Sequence, residues 1–235
     1  MKRLLTIFTS LLCLIGCQTK PPLVVIILGP PGAGKGTQAV MLSKKMKLPH
    51  ISTGDLFREN ISKKTDIGVK AQKYIQEGKL VPDEIVIAML FSRISDKDCK
   101  NGYILDGFPR SIAQAEALKP LIAKNRLLVI NIEIPDSILM ERITGRISCA
   151  QCKTPFHKTF NAPKQTGICD YCGGKLTQRP DDTEEVFKQR LKIYYDQTKP
   201  LIDFYQKQSN VFYSVDGNNT QNVVLEEISK IVEMK

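Results

Sequence analysis

An apolar run followed directly by a glycine-rich turn constrains the fold most. The run Leu23–Leu28 has no polar break, which is typical of a strand buried on both faces of a parallel sheet. The turn at 29–34 ends at Lys35, and helical spacing of apolar residues begins after Thr37. In this setting backbone N–H groups, a helix N-terminus and a lysine converge on phosphate oxygens. The stretch therefore predicts a nucleotide-binding phosphate loop. Its predicted contacts are Gly29, Gly32, Ala33, Gly34, Lys35, Gly36 and Thr37.

The rest of the 235-residue chain alternates between strand and helix patterns. Apolar segments at 102–106, 127–134 and 211–215 predict further strands. Helices are predicted over 136–146 and, as one long element, over 183–208, whereas 49–51 is predicted to be a loop. This alternation favours one α/β domain with a parallel sheet flanked by helices.

Four cysteines form two CxxC pairs in a segment, 147–180, that interrupts the alternation of strand and helix patterns. Each pair can supply two thiolates from one tight turn, and sixteen residues separate the pairs, a spacing typical of zinc sites. Four thiolates leave no open position, so the zinc would be structural and would clamp a small ribbon. Two disulfides are the competing interpretation. The predicted ligands are Cys149, Cys152, Cys169 and Cys172.

Residues 1–22 have the pattern of a leader. Two basic residues precede an apolar stretch at 4–15, and Gly16-Cys17 resembles a lipoprotein box, in which Cys17 would carry a lipid. A start of translation after this stretch is the alternative. ATP and reduced thiolates occur together in the cytosol, so a cytoplasmic protein is expected, and membrane attachment is expected only if Cys17 is lipidated.

The net charge of +10 raises the question of nucleic-acid binding. A pocket for phosphates also needs many Arg and Lys side chains. No basic run with interleaved aromatic residues occurs, and the chain has no Trp. No nucleic-acid partner is therefore expected.

Charged residues follow the strand at 102–106. An apolar strand ending in Asp106 is where phosphate-loop enzymes hold Mg²⁺, directly or through water. Arg110 lies just beyond and can bind two phosphate oxygens at once. Other arginines stand beside turns and near the two ends of the cysteine segment. These are Arg58, Arg142, Arg146, Arg179 and Arg190.

Together these motifs resemble the adenylate kinases, specifically the bacterial long form with a zinc-bearing lid. The resemblance covers nearly everything after Pro22 in the family's order, and it accounts for Gly36 at a place where other phosphate loops have Ser or Thr. It implies a monomer with a core over 23–235, an AMP-binding insertion at 52–81 and a lid at 147–184. The matching stretches are 29–37, 52–58, 78–84, 105–110 with Gln114, 145–146, the two CxxC pairs, and 179–182 with Arg190.

The resemblance also implies substrates and residue roles. The reaction would be Mg²⁺-dependent transfer of a phosphoryl group from ATP to AMP. Lys35 and the loop amides would hold the ATP phosphates, Arg142 would stack on the ATP adenine, and Asp106 would order Mg²⁺ water. Arg146, Arg179 and Arg190 would neutralise the transferring group. Arg58 and Arg110 would bind the AMP phosphate. The AMP pocket would be lined by Thr53, Lys79, Val81, Gly107 and Gln114.

Two other functions account for only part of these motifs. Another nucleoside monophosphate kinase is disfavoured by the combination of Thr53 with Gln114. A zinc-ribbon nucleic-acid binder with a nucleotidase core leaves Asp106, Arg110 and the arginines around the lid unexplained.

Overall fold

A five-stranded, all-parallel sheet forms the centre of the molecule in the computed structural model, which describes residues 20–234. The strands are β1 (Leu23–Leu28), β2 (His50–Ser52), β3 (Gly102–Asp106), β4 (Arg126–Glu133), β5 (Arg146–Cys149), β6 (Pro155–His157), β7 (Leu176–Thr177) and β8 (Phe212–Asp216). The strand order in the central sheet is β2-β3-β1-β4-β8, and helices cover both faces. The helices are α1 (Lys35–Met46), α2 (Thr53–Ser62), α3 (Asp66–Gln76), α4 (Asp83–Ile94), α5 (Ile112–Ile122), α6 (Leu139–Thr144), α7 (Glu184–Ile193), α8 (Pro200–Gln206) and α9 (Gln221–Glu233). The predicted α/β class is confirmed.

Strand β1 lies between β3 and β4, and all six of its residues are buried. Its side chains alternate between two apolar clusters, with Val24 and Ile26 on one face and Val25 and Ile27 on the other. This is why the sequence of β1 shows no polar break. The parallel register pairs Ile27 with Asp106, so the phosphate loop and Asp106 leave the sheet at the same edge.

Segment 49–51, predicted to be a loop, contributes instead to the edge strand β2. His50 and Ser52 pair in parallel with Ile104 and Asp106 of β3. A three-residue strand with one buried residue, Ile51, is too short to show an alternating pattern. Its pairing with β3 makes it a strand, and that pairing depends on residues more than fifty positions away.

The single helix predicted over 183–208 is also wrong, because a π-turn at Tyr194–Thr198 separates α7 from α8. Pro200 has no backbone N–H and cannot continue the ordinary ladder. The Lys199 N–H instead donates to the Tyr194 oxygen five residues earlier, at 2.7 Å. The helix predicted over 136–146 is likewise shorter, since it consists of a 3₁₀ turn at Asp136–Ile138 and α6, and Arg146 begins β5.

Two smaller units extend from the sheet edge. Helices α2 and α3 pack on each other after β2. Strands β6, β5 and β7 form a separate antiparallel sheet that holds the CxxC pairs, with an apolar cluster around Phe156 and Leu176. Within residues 20–234 no helix has the length and apolar character needed to cross a membrane. The leader predictions fall mainly on residues 1–19, which lie outside the described residues.

Candidate active site

The phosphate loop curls around the N-terminus of α1. Gly29, Gly32 and Gly34 have φ angles of 140°, 90° and 89°, which side chains rarely tolerate. A Cβ atom at Gly29 would lie 2.7 Å from the carbonyl oxygen of Ile132 on the neighbouring strand. Glycine is therefore required there by both conformation and space. The loop so formed presents the unpaired N–H groups and positive end of α1 to the cleft above it.

Lys35, the first residue of α1, folds back over this loop. Its Nζ atom donates hydrogen bonds of 2.8 Å to the carbonyl oxygens of Gly29 and Pro30. Burial lowers the pKa of Lys35 to about 7, although Asp106 acts in the opposite direction. The ammonium is thus held at the centre of the loop in surroundings that favour an added negative charge.

Asp106, at the end of β3, faces Lys35 and the start of α1. A Cβ atom at Gly36 would lie 3.2 Å from Asp106 Oδ2, so a Ser or Thr at this position would crowd the carboxylate. Burial raises the pKa of Asp106, but the hydrogen bond and charge of His50 and the charge of Lys35 outweigh it and lower the pKa to about 2. The His50 Nε2 to Asp106 Oδ2 distance is 3.4 Å. Asp106 is therefore ionised at neutral pH.

Two carboxylates, Asp181 and Asp182, bind the arginines that precede and follow the cysteine segment 147–180. Arg146 donates through Nε to Asp182 Oδ2 at 2.8 Å and also contacts Oδ1. Arg190, on α7, contacts Asp181 and lies 3.6 Å from Asp182 Oδ1. The Asp182 side chain is fully buried. These pairs fix two guanidinium groups beside each other, which their mutual repulsion alone would not allow.

A third carboxylate, Asp55 on α2, contacts two further arginines. Arg58 Nη2 lies 2.6 Å from Asp55 Oδ1, and Arg179 Nη2 lies 3.7 Å from the same atom. Burial lowers the pKa of Arg179 to about 10, with a further contribution from the charges of Arg146 and Arg58. Arg179 remains charged at neutral pH. Asp55 thus connects α2 to the far end of the cysteine segment.

Arg110 is held through its main chain and its Nε atom. Its N–H donates to Gln114 Oε1 at 2.7 Å, and its Nε donates to the Gly107 oxygen at 2.9 Å. Gln114 in turn donates from Nε2 to Asp83 Oδ1 at 2.6 Å, and Thr53 Oγ1 donates to the Gly107 oxygen at 2.9 Å. Within residues 20–234 these hydrogen bonds leave both terminal nitrogens of Arg110 available to bind an anion.

The phosphate loop, Asp55, Asp106, Gln114 and the five arginines described above line one cleft of about 690 Å³. Every predicted site residue other than the cysteines contributes to its wall. Lys79 is the most exposed of the AMP-side residues named here, with 54% of its side chain accessible and an ion pair to Glu77 at 2.7 Å. The predicted residues in the wall are Gly29, Gly32, Ala33, Gly34, Lys35, Gly36, Thr37, Thr53, Arg58, Lys79, Val81, Asp106, Gly107, Arg110, Gln114, Arg142, Arg146, Arg179 and Arg190.

The adenylate kinase family model matches residues 27–210. The chain belongs to the adenylate kinase family. It is 48% identical over 211 residues to the adenylate kinase of Clostridium tetani (strain Massachusetts / E88), covering 88% of this chain and 97% of that protein. The Clostridium novyi (strain NT) adenylate kinase is 49% identical over 212 residues, covering 89% and 98%. That of Caldicellulosiruptor saccharolyticus is 54% identical over 185 residues, covering 77% and 86%.

Membership confirms the predicted family and enzyme class. Adenylate kinases bind ATP and AMP and transfer a phosphoryl group between them, using Mg²⁺ with the ATP. The chain is accordingly a nucleotide-binding transferase, a nucleoside monophosphate kinase.

The adenylate kinase cleft has a wall that sequence reasoning missed. The loop 217–221, which follows β8, lines it together with Gln38 of α1. Arg142 donates from Nη1 to the Gly217 oxygen at 3.0 Å, and Gln38 donates from Nε2 to the Gln221 oxygen at 3.0 Å. The sequence did contain a signal for this loop, because it follows the predicted strand 211–215 and the loops after the carboxyl ends of parallel strands lie at the ligand-binding edge of such a sheet.

The four predicted metal-binding cysteines of this adenylate kinase converge at the tip of the small sheet. Their Sγ atoms all lie within 4.8 Å of one another, and all four are free thiols. The sulfurs of Cys149 and Cys172 are 3.4 Å apart, and those of Cys152 and Cys169 are 3.6 Å apart. Four sulfurs placed tetrahedrally at about 2.3 Å from a zinc ion would be about 3.8 Å apart. The arrangement fits a zinc ion.

The thiols of the cluster ionise unequally. A hydrogen bond from the Gly174 N–H lowers the pKa of Cys172, but the sulfurs of Cys149 and Cys152 outweigh it and raise the pKa to about 11. Burial raises the pKa of Cys152, but hydrogen bonds from Thr154 and from the sulfurs of Cys172 and Cys169 outweigh it and lower the pKa to about 6. At neutral pH the cluster is therefore ionised in part, and a bound divalent cation would favour loss of the remaining protons.

Proposed function

We propose that the cleft residues form an ATP-binding half, an AMP-binding half and a shared centre at which the phosphoryl group passes from ATP to AMP. Lys35 and the loop amides bind the ATP phosphates, and Arg142 stacks on the ATP adenine. Arg58 and Arg110 bind the AMP phosphate. One observation carries this proposal: a single cleft joins a phosphate loop to arginines from several separate segments of the chain.

Further contacts would complete the two halves. The centre is formed by Arg146, Arg179 and Arg190, which neutralise the transferring group. On the ATP side the loop contributes Gly29, Gly32, Ala33, Gly34, Gly36 and Thr37. On the AMP side the wall contributes Thr53, Lys79, Val81, Gly107 and Gln114.

The chemistry needs positioning and positive charge rather than a base. The second pKa of a phosphate monoester is about 6, so AMP is already a dianion at neutral pH. What opposes the reaction is the repulsion between two polyanions, and the charged groups of the cleft counter it while holding the reactants in line. Mg²⁺ bound with ATP supplies further charge neutralisation. The ionised Asp106 carboxylate, beside the space that Gly36 leaves open, would hold its water ligands.

The insertions would exclude water from this cleft. We infer that 52–81 forms the AMP-binding insertion and 147–184 the lid, each closing over one half. The contact of Arg179 with Asp55, at 3.7 Å, joins the two. Exclusion of water protects the ATP from hydrolysis before AMP is in place.

A coupled assay of ADP formation tests the substrates. With ATP and Mg²⁺ held constant, AMP should support rapid formation of ADP, whereas CMP and UMP should support less than about a tenth of that rate, because a site that hydrogen-bonds one base edge leaves its own groups unpaired with another. A DNA oligomer should neither stimulate nor inhibit. A rate with CMP or UMP equal to that with AMP would contradict the AMP assignment. Binding of the oligomer at physiological salt would favour the nucleic-acid function.

We further propose that the four cysteines hold one structural zinc ion per chain. Protein purified without chelator should contain about one zinc by mass spectrometry. Cys169→Ser should weaken zinc binding, and a loss of about 2 kcal/mol would lower the melting temperature by roughly 4–8 °C in a protein of this size. The matched control is Cys99→Ser, which alters a buried cysteine outside the cluster and should leave the zinc content unchanged. Zinc-free protein with all four thiols paired as disulfides would refute the site.

The proposed enzyme is a cytoplasmic monomer with no nucleic-acid partner. ATP, Mg²⁺ and reduced thiolates are available together in the cytosol, and exported CxxC pairs tend to oxidise. The purified native protein should begin near 21–24 or keep Met1 without lipid. Incorporation of labelled palmitate that is lost in Cys17→Ala, with recovery in the membrane fraction, would show the alternative, an exported lipoprotein. Light scattering should give the mass of one chain.

A further inference from the structure

The π-turn between α7 and α8 contains Thr198, which contacts a residue far away in the sequence. One extra residue in the turn Tyr194–Thr198 shifts the register of the positions beyond it. Thr198 lies half-buried and lines the nucleotide cleft. π-Turns carry a cost in hydrogen-bond geometry and frequently occur at functional sites, which raises the question of what this one does.

The hydroxyl of Thr198, within this π-turn, makes a hydrogen bond to a distant part of the chain. Its Oγ1 donates a 2.9 Å hydrogen bond to the carbonyl oxygen of Arg110, 88 residues earlier. The other hydrogen bonds of Arg110 in the described part of the chain go to Gln114 and Gly107, within its own segment. Among the described residues, the bond from Thr198 is thus the one that connects the Arg110 main chain to a segment distant in sequence.

The hydrogen bond from Thr198 holds together two segments whose positive charges, on Arg110 and Arg190, repel each other. Thr198 follows α7, which carries Arg190, and the charge of Arg190 adds to burial in lowering the pKa of Arg110 to about 10. A carboxylate anchor on Arg110 would occupy the guanidinium. A hydroxyl bonded to the main-chain carbonyl holds Arg110 near Arg190 and leaves its terminal nitrogens for a phosphate.

We propose that Thr198 is a positioning residue for the acceptor nucleotide, acting by holding the main chain of Arg110 against the segment that carries Arg190. The proposal rests on the proposed role of Arg110 in binding the AMP phosphate. It assigns the π-turn a function: the extra residue brings the Thr198 hydroxyl to Arg110. Its effect should fall mainly on AMP, because within residues 20–234 none of the hydrogen bonds of Thr198 or Arg110 involves the phosphate loop.

Steady-state kinetics of Thr198→Val test this role. Valine keeps the shape of threonine and removes the hydroxyl, so the KM for AMP should rise about 3- to 10-fold, the range expected for one lost hydrogen bond. The KM for ATP should stay within 2-fold. Thr198→Ser, which keeps a hydroxyl, should restore the KM for AMP to within 2-fold of the parent. A purely structural role would raise both KM values together or lower only the melting temperature.

Tyr195→Phe is the matched control in the same π-turn. It removes a hydroxyl that donates to Asp136, and Tyr195 is not among the residues that line the cleft, so both KM values should stay unchanged. An unchanged KM for AMP in Thr198→Val, an equal rise for ATP, failure of serine to restore it, or the same effect in Tyr195→Phe would each overturn the proposal. The variant Arg110→Lys distinguishes failure of the role proposed for Arg110 from failure of the role proposed for Thr198. If it leaves the KM for AMP unchanged, the role of Arg110 has failed; if it raises that KM while Thr198→Val does not, only the role of Thr198 has failed.

Discussion

Replacing Lys35 by Met should lower kcat/KM on the order of 10³-fold, with the fold retained. The ammonium of Lys35 is the charge nearest the phosphate loop, and loss of one such preorganised group from a water-excluded site costs roughly 10²- to 10³-fold. Because burial already disfavours the charged form of Lys35, its removal should cost little stability. The coupled assay and a thermal unfolding curve give the two readouts.

Lys45→Met is the matched control for this substitution. Lys45 lies on the same helix, with 44% of its side chain exposed, and its ion-pair partner within residues 20–234 is Glu233, at 3.7 Å. Its replacement should leave kcat/KM within about 2-fold, since exposed ion pairs contribute little. If Lys35→Met kept near-parental kcat/KM, or if Lys45→Met lost as much activity, the role of Lys35 would be wrong.

The second large effect is expected from Arg110→Lys. Lysine keeps the charge but cannot bind two phosphate oxygens in the fork geometry, and it cannot reproduce the Nε bond to the Gly107 oxygen. The KM for AMP should rise and kcat should fall, with a combined loss in kcat/KM for AMP of about 10²-fold. The KM for ATP should change by less than about 3-fold.

Arg93→Lys is the corresponding control, because Arg93 also has carboxylate partners but lies on α4, outside the residues that line the cleft. It should leave the kinetics unchanged. A rise in the KM for ATP as large as that for AMP in Arg110→Lys would indicate a general disturbance of the cleft rather than loss of an AMP contact.

What the sequence predicts well is what short segments determine by themselves. Strand β1 and its glycine turn combine burial on both faces with a local backbone requirement, and both are visible within fifteen residues. The family resemblance then orders the distant motifs. The four cysteines were predictable for the same reason, because the two CxxC turns are local and their spacing is characteristic.

What the sequence did not predict depends on partners far along the chain. The strand character of His50–Ser52 comes from pairing with β3, and the π-turn reflects Pro200 together with the contact of Thr198 with Arg110. The bond of Gln114 to Asp83 joins residues 31 positions apart. The strand His50–Ser52 is too short to show an alternating pattern, and side-chain hydrogen bonds between elements leave no periodicity in the sequence.

The cluster of positively charged side chains in the cleft makes the measured melting temperature of this protein depend on the anions in the buffer. Its basic groups outnumber the carboxylates that pair with them, and burial lowers the pKa of Arg110 and Arg179 to about 10. Polyvalent anions that bind this cluster bind the folded chain alone, and so stabilise it in proportion to the logarithm of their concentration. A melting temperature recorded in a phosphate buffer thus includes the affinity for the buffer, and stabilities of variants are comparable only in a buffer with weakly binding counter-ions.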